Sequence, residues 1–121
     1  MKQEKIYVAY KLLERLNRIP GLPFSVCSKL YTVKKKLAPF YEAQVEKEQV
    51  LFEAAGIDEN GQVLITKELK KSIADIMKTD VDFTPKTVTI QLTPDITEKL
   101  GLTGEIIEHL ENFVDFVEVE A

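Results

Sequence analysis

The chain has no tryptophan, one cysteine, one histidine and only five glycines among its 121 residues. Each shortage excludes something. A single thiol, Cys27, cannot close an internal disulfide and fits a reducing compartment. One thiol and one imidazole, His109, cannot supply the four ligands of a structural zinc site. Five glycines leave no G-x-G-x-x-G, P-loop or G-x-S-x-G, so no phosphate cradle or nucleophile elbow can be drawn. No apolar run approaches the roughly 18 residues that span a bilayer. Lys11, Glu14 and Arg15 interrupt the first apolar stretch before a signal-peptide core forms. The expectation is a cytoplasmic protein with no membrane partner and no cofactor.

What is present is an ordinary globular composition, 45% hydrophobic and 30% charged, of a length that predicts one domain over residues 1–121. The net charge of -4 hides a gradient. Residues 1–36 carry nine Lys or Arg against two Glu, whereas residues 105–121 carry six acids and no Lys or Arg. Such ends are expected to pair with each other inside the chain, or else to face different partners.

Apolar spacing divides the chain into three parts. Residues 1–55 predict a helical hairpin. Ile6, Ala9, Leu13 and Leu16 line a helix from Gln3 to Arg18, "PGLP" breaks it, and a long helix runs from a Ser25 cap to Ala55 before Gly56. Along that second helix Val26, Leu30, Val33, Leu37 and Phe40 repeat at four and three, and the stripe then drifts through Tyr41 and Val45. Pro39, at the drift, removes a hydrogen bond and predicts a kinked but continuous helix. Thirty residues at 1.5 Å each reach about 45 Å, more than so small a domain covers, and this overhang points to a partner. Residues 56–93 predict a small sheet with one helix, from "QVLIT", a Thr66-capped helix 67–78 and the alternating strand "KTVTIQLT". Residues 94–121 predict two helices, the first opened by Thr93-Pro94-Asp95 and the last by Thr103, with Ile106, Leu110, Phe113, Val114 and Val117 inward. The class is α+β: helix-dominated, with a long kinked central helix and a small antiparallel sheet or hairpin.

Candidate chemistry is thin. "GIDENGQVLIT" resembles an acidic metal loop until its spacing is checked against a calcium loop, which needs glycine at position 6 and glutamate at 12. Counted from Asp58, Gly61 falls at 4 and Leu69 at 12, so Asn60-Gly61 reads as a two-residue hairpin turn. Cys27 and His109 could form a nucleophile and base, but no characteristic sequence surrounds either. Glu42, Glu46, Glu53, Asp80 and Asp82 fall on solvent faces. Lys34, Lys35 and Lys36, with Lys29, make a basic patch, but they fan around the helix without interleaved aromatics on an acidic chain, which argues against a nucleic-acid partner.

The long helix "YTVKKKLAPFYEAQVEKEQVLFEAAG", the turn "IDENGQ" and the ending "ITEKLGLTGEIIEHLENFVDF" together resemble a family of small proteins encoded by phages and prophages of bacteria. The resemblance covers most of the chain beyond residue 30; "NRIPGLPFSV" and Pro39 depart from it. It implies a non-catalytic accessory protein of virion assembly or host interaction, acting in the host bacterial cytoplasm on a protein partner. Two surfaces are the candidates. The first is a partner or homodimer stripe of Leu30, Val33, Leu37, Phe40 and Tyr41. The second is an acidic ridge of Glu105, Glu108, Glu111, Asp115 and Glu118, which could imitate a phosphate backbone and inhibit a host defence or nucleic-acid-binding protein.

Overall fold

A computed structural model describes residues 1–84 and 87–119. The element order is α1 (Gln3–Asn17), α2 (Phe24–Ala55), α3 (Lys67–Lys78), β1 (Val88–Leu92), α4 (Pro94–Leu100), α5 (Gly104–Leu110) and β2 (Val114–Glu118). Helices dominate, as the apolar periodicities predict, and β1 and β2 form a two-stranded sheet.

The helical hairpin forms because α1 and α2 each carry one apolar stripe and "PGLP" reverses the chain between them. Ile6, Ala9, Leu13 and Leu16 of α1 close against Val26, Leu30, Val33 and Leu37 of α2, all buried in one core cluster. The helix α2 runs unbroken through Pro39, over 32 residues and about 48 Å. It begins one residue before Ser25 and is capped by Pro23, whose carbonyl accepts the first bonds from Val26 N (3.0 Å) and Cys27 N (3.1 Å).

The predicted caps are in place at three helices. Thr66, Thr93 and Thr103 each accept through Oγ1 from the backbone N–H three residues on, those of Leu69, Ile96 and Ile106. Gly101 ends α4 in the left-handed region at φ +61°, where a side chain would be strained.

The expected hairpin at residues 56–66 is only a single antiparallel bridge, Ile57 to Val63, and the turn needs one more residue than the sequence suggested. Gly61 takes φ +78° while Asn60 does not adopt positive φ. The Asp58 carboxylate fixes this shape by accepting from Asn60 N (2.8 Å) and Gln62 N (3.0 Å), and Gly61 N donates to the Asp58 carbonyl (3.1 Å). Three loop residues ending in a left-handed glycine therefore replace the two-residue turn.

The sheet is parallel, not antiparallel, and this corrects the end of the chain as well. Val88 aligns with Val114 and Leu92 with Glu118. The last helix stops at Leu110, and the residues expected to prolong it make β2. Parallel neighbours need a long crossover, which α4 and α5 supply, so the C-terminal third is a β-α-α-β unit. Ile90, Leu92, Leu100, Leu110, Phe113 and Val114 seal it onto the hairpin core. Lys86, first residue of the predicted strand stretch, lies outside the described residues.

Candidate interaction surfaces

The stripe proposed from sequence as a docking surface is interior. Leu30 and Leu37 are 0% exposed and Val33 is 3% exposed. Phe40 packs partly buried against the same core and meets Phe83 edge to face, with ring centroids 5.0 Å apart. Tyr41 stacks with Tyr10 (4.1 Å) and Tyr7 (5.5 Å) of α1. The partner of this stripe is α1 of the same chain. A second molecule could reach Leu30, Val33 and Leu37 only if the hairpin opened, whereas Phe40 and Tyr41 are half-buried.

The overhang lies further along α2. Its last buried residue is Gln44, held by Gln3. The Gln3 amide donates to Phe40 O (2.9 Å) and to Gln44 Oε1 (2.9 Å), while Gln44 Nε2 donates to Glu48 Oε1 (2.9 Å) and Met77 Sδ (3.2 Å). Beyond this network no residue from 45 to 68 is buried, although the segment holds Val45, Val50, Leu51, Phe52, Ile57, Val63, Leu64 and Ile65. Val50 is 65%, Ile57 68% and Ile65 70% exposed. The helix α3 returns beside this end of α2 with an apolar stripe of its own, yet buries only Leu69. The two elements and the turn between them form an arm that has apolar surface but no core.

The acidic residues divide between two elements. Glu105 and Glu108 are exposed on α5 and Glu111 on the turn after it, while Asp115 and Glu118 are exposed on β2. Because the strand replaces the helix at 114, they do not continue one helical ridge. Glu105 lies 3.8 Å from His109. Glu108 and Glu111 border a recess of about 290 Å³ whose other wall is Glu4, Lys5 and Val8 of α1. The basic and acidic ends thus lie side by side, but no ion pair joins residues 1–36 to residues 105–119 among the described residues.

Several N-terminal lysines are used differently. Lys11 Nζ sits 5.2 Å from the Tyr41 ring centroid and Lys34 Nζ 5.7 Å from that of Tyr10. Lys29 Nζ donates to the Thr89 carbonyl of β1 (2.7 Å). Sequence spacing hid this cluster because its rings and ammonium groups come from two helices.

The cluster makes stability sensitive to alkali. Burial, then the nearby Glu14 carboxylate, raises the Tyr10 hydroxyl above its ordinary value. The Tyr41 side chain raises the Lys11 ammonium. Both shifts mean that the folded chain holds its protons more tightly than the unfolded chain. The stabilisation is complete below about pH 10 and is lost as pH rises through the raised folded values. Thermal midpoints measured from about pH 9 to pH 11 should fall, and Tyr10→Phe should flatten part of that fall; a midpoint independent of pH over this range would contradict the assignment.

Nothing here assembles a catalytic centre from the sequence candidates. Cys27 points its thiol toward Leu22 O (3.9 Å), beside the α1–α2 connection, whereas His109 borders the recess at the first turns of α1. Asp80 pairs with Lys2 at 3.1 Å, and Glu42, Glu46, Glu53 and Asp82 are exposed. Asp58 is engaged by its own turn. Among the described residues no three His, Cys, Asp or Glu side chains gather as metal ligands, and no helix is long and apolar enough to cross a membrane.

The fold and its surfaces define a helical hairpin backed by a β-α-α-β unit, with an open arm at the far end of α2. Comparison with protein-family models, curated proteins and solved structures finds no match.

Proposed function

We propose that this protein is a non-catalytic protein–protein interaction module whose docking surface is the arm formed by residues 45–68 and α3. One observation carries the reading: eight large apolar side chains lie in 24 consecutive residues none of which is buried. Contiguous exposed apolar surface is the mark of an interaction site, since leaving it in water forgoes about 25 cal/mol per Å². The resemblance to small phage and prophage proteins supplies the setting, an accessory protein working in the cytoplasm of a bacterial host. The alternative, inhibition of a host defence or nucleic-acid-binding protein through an acidic surface, stands second because its five carboxylates come from two elements and only Glu105, Glu108 and Glu111 stay close in sequence on α5 and its turn.

A photo-crosslinking residue placed at Val50 or Ile65 in producing cells tests the reading. Adducts should form there and not at Thr32, which is exposed on the core-covering half of α2. Equal or absent crosslinking at the three positions would overturn it.

A further inference from the structure

The arm contains a groove of about 440 Å³ between α2 and α3, walled by Lys47, Val50 and Leu51 on one side and by Ser72, Asp75 and Ile76 on the other. Its charges are divided, a cation on the α2 wall and an anion on the α3 wall. Neither makes an ion pair within the chain among the described residues. Val50, 65% exposed, stands beside Lys47 by one helical turn and projects an aliphatic group of the kind the groove accepts.

From this geometry we propose that the occupant of the groove is a second copy of the same chain, related by a two-fold axis. In an isologous contact residue i meets j and j meets i, so a surface must be its own complement. The divided lining allows this: in the proposed pair Lys47 of each copy would face Asp75 of the other, with the two Val50 side chains against the apolar floors. The charge also divides on a larger scale. Residues 42–66 carry six Asp or Glu against Lys47 alone, while α3 carries four Lys against Glu68 and Asp75. Pairing α2 of one copy with α3 of the other therefore joins an acidic element to a basic one twice. An unrelated partner would need to match this divided pattern; a second copy does so by symmetry.

The inference rests on the arm being an interaction surface, and the two ideas fail differently. Sedimentation equilibrium of the full chain at rising concentration should show the mass climbing from 13.8 kDa toward twice that value. Val50→Glu, Lys47→Glu and Asp75→Lys, all at exposed positions, should each keep the helical circular-dichroism spectrum and raise the dissociation constant at least about tenfold, the first by setting a carboxylate on an apolar floor and the other two by facing like charges. The decisive sample is an equimolar mixture of Lys47→Glu and Asp75→Lys: each repels itself, but the mixed pair has two opposite-charge contacts and should form a heterodimer. A wild-type chain that stays monomeric, or a dimer indifferent to Val50→Glu, overturns the second copy. So does a mixture that does not associate. If Val50 crosslinks meanwhile reach only a different protein, the interaction reading stands without self-association; if they reach nothing, both fall.

Discussion

Leu37→Glu is expected to yield a chain that does not fold. Leu37 is 0% exposed in the α1–α2 contact, and among the described residues no cationic side chain is buried with it. The substitution forfeits about 2 kcal/mol of apolar burial and inserts a carboxylate that must be protonated or left unpaired at a cost of several kcal/mol. The sum approaches the whole stability of a domain this size, about 5–15 kcal/mol. Loss of the cooperative thermal transition, or recovery only as insoluble protein, is the expected outcome. A folded Leu37→Glu protein would show that the stripe is not enclosed by α1. The contrast is Val50→Glu, on the same helix but in open solvent, which should fold as the wild type does.

Pro39→Ala should stabilise the protein. Proline inside a helix removes one backbone hydrogen bond and crowds the carbonyl four residues before it, at a cost near 3 kcal/mol, yet α2 passes through this position unbroken. Pro39 is exposed, so alanine loses little packing. Alanine does release the unfolded chain from proline's restricted φ, which offsets up to about 1 kcal/mol. The net gain is about 2 kcal/mol, or a thermal midpoint higher by about 8 °C. An unchanged or lower midpoint would mean that a bend at Pro39 is itself required to seat Leu37 and Phe40.

The parts legible in the sequence were those decided locally. A threonine before an apolar-periodic run, with Pro94 or an acid behind it, sets a helix start locally, and α3, α4 and α5 begin where their caps put them. The strand β2 was not legible because "FVDFVEV" serves two periods. Phe113, Val114 and Val117 continue a helical face, while Val114, Phe116 and Glu118 alternate with Asp115 and Val117. Pairing with β1, which is distant in sequence, decides between them. The Leu30 stripe was read correctly as apolar and wrongly as outward, because one helix's stripe does not say which element covers it. The overhang of α2 is legible from its length alone, but not which residues it leaves uncovered: the drifting stripe through Val45, Phe52 and Ala55 has the same pattern whether α3 buries it or leaves it open.

The arm is also joined to the body in a particular way. Gln3 meets both of its roots: its side chain holds α2 at Phe40 and Gln44, and its backbone N–H donates to Thr79 O (2.9 Å) where the chain returns after α3. Val81 N to Met1 O (2.8 Å) reinforces the return. Outgoing and incoming strands of chain are thus clamped at one fulcrum in the first turn of α1. From there the rod of α2 reaches about 16 Å to its end, so a rotation of about 10° at the fulcrum sweeps the tip through about 3 Å. The contacts of residues 1–3 thus tie the aim of the arm to the first turn of α1.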